Sequence, residues 1–155
     1  MIKAIVFDFS RVLLFAKDPS YLGDLNPLHR QLSENNPDYP FFDNFYLNQE
    51  LLDWLRLIHG AKLYIFTSGN IQNAPAIRPM LDNIFTHVYS AETMHLSKSD
   101  PAAYSKLCSI LNRSPQDVLF IDDSKKNIAA AKQAGLQTLL FSNTAKLIKV
   151  LQMLK

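Results

Sequence analysis

Ile2-Lys3-Ala4-Ile5-Val6-Phe7-Asp8-Phe9-Ser10-Arg11-Val12-Leu13 is the stretch on which the fold turns. Its apolar run is closed by Asp8, too short for a signal peptide and far short of a membrane span. A short continuous apolar run rich in β-branched and aromatic residues reads as a strand buried on both faces, the kind that parallel sheets use. Here that strand spans Ala4 to Phe9. Runs of the same character recur at Lys62 to Phe66, Val118 to Ile121 and Thr138 to Phe141, with a weaker one at His87 to Ser90. Polar residues close each of them at the C-terminal end.

Helical patterns lie between the strands. Asn48 to Ile58 places Leu51, Leu52, Leu55 and Ile58 on one face, and Gly60 follows as a stop. Pro101 to Leu111 has Asp100 in the N-cap position and proline at the first helical position. Lys125 to Ala134 follows Ser124 and ends at Gly135, and Ala145 to Leu154 carries an apolar stripe. Strands alternating with helices predict an α/β fold, a doubly wound and mostly parallel sheet of Rossmann-like type. The length of 155 residues suits a single domain, 1–155. Residues 15–45 break the alternation with four prolines and a group of aromatics. That stretch exceeds an ordinary βα loop and starts at the sheet edge where ligands bind in such folds. It reads as a reduced cap or lid, helical around Pro27 to Glu34 and otherwise irregular.

Composition excludes several functions. The chain has 4 glycines, at positions 23, 60, 69 and 135, where average usage gives about 11. No glycine-rich dinucleotide fingerprint or P-loop fits that spacing, so any phosphate must be held in another way. The single cysteine, Cys108, excludes a disulfide framework or a multi-cysteine zinc site and predicts a small core residue in a reducing, cytoplasmic setting. The four histidines lack i,i+4 pairing. A net charge of +2 gives no electrostatic footprint for nucleic acid, and no apolar stretch predicts a membrane partner. Oligomeric state is not legible.

In a parallel sheet, the strand ends Asp8-Phe9-Ser10, Thr67-Ser68-Gly69-Asn70 and Asp122-Asp123-Ser124 share one edge. Three carboxylates and several hydroxyls then face one crevice. Like charges at one point resist desolvation, and a hard cation such as Mg²⁺, with a lysine, relieves the conflict. Lys98 stands on the same edge. A carboxylate nucleophile, a cation, an ammonium and hydroxyl donors suit phosphoryl transfer.

These segments resemble the haloacid dehalogenase-like hydrolase superfamily. Val6-Phe7-Asp8-Phe9-Ser10-Arg11-Val12-Leu13 is similar to its first motif. Tyr64-Ile65-Phe66-Thr67-Ser68 is similar to the second, and Lys98-Ser99-Asp100-Pro101-Ala102-Ala103-Tyr104 to the third. Val118-Leu119-Phe120-Ile121-Asp122-Asp123-Ser124-Lys125-Lys126-Asn127 is similar to the fourth. The resemblance implies Asp8 as nucleophile, Thr67 as a phosphoryl contact and Lys98 as counter-charge. It implies Mg²⁺ held by Asp8, Asp122, Asp123 and the Ser10 carbonyl. Arg11, Ser68 and Asn70 are candidates for contact with a small phosphorylated substrate. Two positions depart from the family pattern. Ser10 stands where its phosphatases carry an acid that protonates the leaving group, a help worth about 10²–10⁴-fold. Arg11 stands where the family has glycine, and either strains that turn or reaches into the crevice. Three readings follow: a Mg²⁺-dependent phosphatase slowed at Ser10, an impaired member that binds a phosphorylated ligand or a protein partner, and a dehalogenase-type C–X hydrolase.

Overall fold

The computed structural model describes residues 1–154. Five strands form one parallel sheet: β1 (Ala4–Phe7), β4 (Lys62–Thr67), β5 (His87–Ser90), β6 (Val118–Asp122) and β7 (Gln137–Leu140), in the order β5-β4-β1-β6-β7. The chain starts in the middle, winds outward through β4 and β5, then crosses to β6 and β7 on the other side. The point where the winding direction changes lies beside β1, and in such sheets a crevice opens there at the C-terminal strand ends.

Alternate residues of β1 enter different cores, the period-two signature of a strand covered on both faces. Ile5 and Phe7 pack with helices α3 (Gln49–Leu55) and α7 (Thr144–Gln152), through Leu51, Leu52, Leu55, Leu147 and Leu151. Ala4 and Val6 pack with α5 (Pro101–Leu111) and α6 (Lys125–Gln133), through Tyr104, Leu107, Cys108, Ala130 and Ala131. The buried Cys108 is a core residue. Helix starts match their caps: the side chains of Asp100, Ser124 and Asn143 accept N–H bonds from Ala102, Asn127 and Lys146. Among the described residues no helix is long and apolar enough to cross a membrane.

The first strand ends earlier than its apolar run. The Phe9 carbonyl accepts from the N–H groups of Val12, Leu13 and Leu14 at 3.3, 2.9 and 3.1 Å, which turns the chain away from the sheet after Asp8. Residues 15–45 hold the expected helix, α1 (Leu25–Asn35), and a short α2 (Phe41–Asn44). They also contain what the sequence pattern does not signal. The stretch leaves and returns through a two-stranded antiparallel ribbon, β2 (Leu14–Ala16) against β3 (Phe45–Leu47), with Phe15 stacked on Tyr46.

Asn48 locks this ribbon to the sheet. Its backbone N–H donates to Leu13 O, and its Nδ2 donates to Val12 O at 3.0 Å and to Thr144 Oγ1 at 2.8 Å. Its Oδ1 accepts from Leu51 N at the start of α3. Removing it costs a cap and orphans a buried carbonyl, about 2–3 kcal/mol together. Asn48→Ala should therefore lower the urea midpoint at unchanged m-value, checked by equilibrium denaturation.

Candidate active site

Register delivers the acids to one place. Phe7 pairs with Ile121, so the next residues, Asp8 and Asp122, leave neighbouring strands side by side. Asp8 N donates to Ile121 O at 2.8 Å, which holds the first acid to the sheet beyond the end of its strand. Lys98 reaches both from the loop before α5: its Nζ lies 2.7 Å from Asp8 Oδ1 and 2.9 Å from Asp122 Oδ2. All three residues are buried. The Lys98 ammonium sits 5.7 and 5.5 Å from the ring centroids of Phe66 and Phe120, and its carbonyl accepts from Tyr104 Oη at 2.6 Å. Asp122 is fixed further by the N–H of Ser124 on Oδ1 and by Asn127 Nδ2 on Oδ2.

Charge is unbalanced here. Asp8, Asp122 and Asp123 each turn a carboxylate oxygen to a common point, within 4.8 Å of one another. Against these three acids stands the one ammonium of Lys98. Burial pushes the Asp8 carboxyl up to about 7, against the lowering pull of Lys98, and Asp122 adds to the rise. Asp123 is also raised, by burial and by the Asp122 charge. Burial alone would lower Lys98; the two carboxylates outweigh it and hold the ammonium above its ordinary value. An all-oxygen donor set carrying excess negative charge is the kind a hard divalent cation takes.

The acids floor a cleft of about 450 Å³, lined also by Ser10, Arg11, Thr67, Ser68 and Ser124. That volume suits a small molecule. Ser10 Oγ and Thr67 Oγ1 are buried without a hydrogen-bond partner. Buried hydroxyls normally find one, so two orphans beside the acids mark a place for ligand oxygens. The sequence-derived residues Asp8, Ser10, Arg11, Thr67, Ser68, Lys98, Asp122 and Asp123 are thus brought together. Asn70 is not. It is exposed and outside the cleft lining, and its N–H donates to Asn26 Oδ1 at 3.0 Å.

Arg11 has φ +63, a left-handed backbone suited to glycine, and this is the strained turn the sequence suggested. Its guanidinium faces the insertion, donating to Gly23 O at 2.5 Å and Tyr21 O at 3.4 Å. The insertion in turn borders the cleft with Asp24, Leu25, Asn26, Pro27 and Arg30, and Arg30 lies 4.0 Å from Glu92 of the loop after β5. Sequence reasoning assigned no role to Asn26, Arg30, Glu92, Tyr104 or Asn127. The last two carried a usable signal. Tyr104 lies on the helix that follows Lys98, and Asn127 lies in the first turn after the Ser124 cap, five residues beyond Asp122.

A family model described as haloacid dehalogenase-like hydrolase matches residues 25–135, well over half of the chain. The chain is 30% identical over 90 residues to an enolase-phosphatase E1 of Methylococcus capsulatus, covering 52% of this chain and 37% of that protein. It is 32% identical over 96 residues to a phosphoglycolate phosphatase of Pseudomonas putida, covering 57% and 33%. These alignments take in only about a third of the length of either relative. The fold is shared with a HAD family enzyme of Bacteroides thetaiotaomicron solved with magnesium and inorganic phosphate: TM-score 0.68, 16% identity, 95% of this chain and 99% of that one. It is shared too with a 2-haloacid dehalogenase of Pseudomonas syringae: TM-score 0.65, 15% identity, 91% and 86%.

Removing one partner of a buried ion cluster leaves uncompensated charge, at about 3–5 kcal/mol. Lys98→Met should therefore lower Tm by roughly 10 °C in chelator. Asp8→Asn in the same background should return part of that loss, because it removes one of the stranded charges. Calorimetry of the two variants checks both.

Proposed function

This chain belongs to the haloacid dehalogenase-like hydrolase family, and we propose that it is a Mg²⁺-dependent phosphatase of a small phosphorylated metabolite, slowed by the serine at position 10. The observation that carries the reading is the pairing of orphaned Ser10 and Thr67 hydroxyls with the buried Asp8–Lys98–Asp122 cluster in one cleft. Phosphatase relatives and a structural neighbour holding magnesium and phosphate support it.

Asp8, Asp122 and Asp123, with the Ser10 carbonyl, are the residues that would hold the ion. Mg²⁺ bound there supplies positive charge against the phosphoryl oxygens. Asp8 is the nucleophile: a carboxylate oxygen forms a bond to phosphorus as the ester P–O bond breaks, giving an aspartyl-phosphate that water then hydrolyses. Lys98, anchored through Asp8 Oδ1 and Asp122 Oδ2, orients the nucleophile and keeps a positive charge beside the developing negative charge. Thr67 Oγ1, buried at the end of β4, donates to a phosphoryl oxygen, and Ser68 borders the same oxygens. The departing alkoxide needs a proton. Ser10 offers a hydroxyl whose pKa is far from neutrality, so that proton comes from water and the step is slow.

A panel of small phosphoesters assayed with and without Mg²⁺ tests this. Turnover should require the ion and be lost in Asp8→Asn. Ser10→Asp, which places a carboxylic acid where the leaving group emerges, should raise kcat by about 10²-fold or more. Binding of inorganic phosphate without turnover, in wild type and Ser10→Asp alike, would replace hydrolysis by a ligand-binding role. Halide release that ignores chelator would point to C–X cleavage.

A further inference from the structure

Beside the buried Leu25, the insertion meets the sheet edge with one short polar side chain. Asn26, in the first turn of α1, directs Oδ1 at the turn that follows β4, where it accepts the N–H of Asn70 at 3.0 Å and of Ile71 at 2.9 Å. The same turn is held from inside by Gly69 O, which accepts from Gln72 Nε2 at 2.7 Å and Ser90 Oγ at 2.8 Å. This turn carries Ser68 into the cleft, directly after Thr67, the last residue of β4.

Gly69 records how close the approach is. A Cβ built there would sit 2.5 Å from both Cγ and Oδ1 of Asn26 and 2.8 Å from its Nδ2. The backbone at Gly69 is not in the left-handed region, so conformation alone does not call for glycine. What calls for it is the amide of Asn26, which occupies the space a Cβ would take. Gly69 and Asn26 are thus the two halves of one contact.

We propose that Asn26 is a positioning residue. Its side-chain carbonyl, reaching out of the insertion, sets the turn that presents Ser68 to the phosphoryl group beside Thr67, so the insertion shapes the floor of the cleft as well as its wall. The catalytic half of this statement rests on the phosphatase reading above; the mechanical half does not. It gives the insertion a task separate from choosing the leaving group: without α1 in place, the turn that sets Ser68 beside Thr67 loses its outer support.

Amide hydrogen exchange read residue by residue by NMR, with phosphoester kinetics, tests the proposal. Asn26→Ala should speed exchange at Asn70 and Ile71 by about tenfold or more, since both donors lose their acceptor. It should cut kcat/KM at least about tenfold through misplacement of Ser68 beside Thr67, while Tm moves by less than about 3 °C. Gly69→Ala, made in an intact Asn26 background, should reproduce the exchange change by pushing the amide away. The double variant should be no worse than either single, because both break the same contact. Asn26→Asp keeps the acceptor and should restore protection at Asn70 and Ile71. Unchanged exchange in Asn26→Ala, or additive effects in the double variant, would overturn the proposal. Should the wild type prove unable to hydrolyse any ester, the exchange pattern still decides the mechanical half. Protection lost and restored as stated would then uphold the Asn26 contact while the hydrolase reading fell.

Discussion

Lys98 is the pivot on which this molecule depends. Burying two carboxylates from adjacent strands is affordable only if a cation stands between them, because the desolvation of an unpaired charge costs several kcal/mol. Lys98 Nζ meets both at 2.7 and 2.9 Å. Its reach is set by packing: Tyr104 Oη grips its carbonyl, and Phe66 and Phe120 flank its ammonium. Those rings belong to the two strands that neighbour β1, so the residues that build the core also aim the ammonium. Sheet and site are therefore one construction. A one-residue slip of β1 against β6 would separate Asp8 from Asp122 and turn the apolar side chains of β1 to the opposite faces.

That coupling explains what was legible in the sequence. The central strands carry continuous apolar runs that cannot lie anywhere but inside, and the acids end those runs, so position and chemistry are written in the same few letters. Helices α5 and α6 were readable to within a residue or so because their ends are chemical: Asp100 before Pro101, and Ser124 before Lys125 with Gly135 beyond. The ribbon of β2 and β3 was not readable. Each strand has three residues, too few for a period, and each exists only because the other lies across from it. Asn26, Arg30 and Glu92 escaped for a related reason. They lie on a helix and a loop with unremarkable neighbours, and their meaning arises only when the insertion folds back over β4 and β5. No spacing along the chain encodes a contact between residues 26 and 69.

Arg11 shows how a local misfit is offset by a distant contact. A left-handed conformation costs an ordinary residue roughly 1–2 kcal/mol. Here the guanidinium returns hydrogen bonds to Gly23 O and Tyr21 O, which glycine could not make. With Arg11 reaching outward to the insertion and Asn26 reaching inward to the turn after β4, the insertion is tied to the sheet at two strand ends, those of β1 and β4. The insertion also packs Leu25, Phe41 and Phe45 into the core, and these polar tethers fix its position at the edge of the cleft where that apolar packing alone would leave it free to slide.

The serine at position 10 belongs to the same balance of charges. An acid there would add a fourth carboxylate to a cleft where three already face one ammonium and where Asp8 is pushed up to about 7. A neutral hydroxyl removes that repulsion, and the floor of the cleft becomes easier to hold together in the absence of a cation. The exchange has a chemical consequence in the opposite direction, since the group that relieves repulsion is also unable to give up a proton at neutral pH. Positions 10 and 11 thus trade in different currencies at the same turn: Ser10 gives up proton transfer and lightens the electrostatic load, while Arg11 accepts backbone strain and gains a tether.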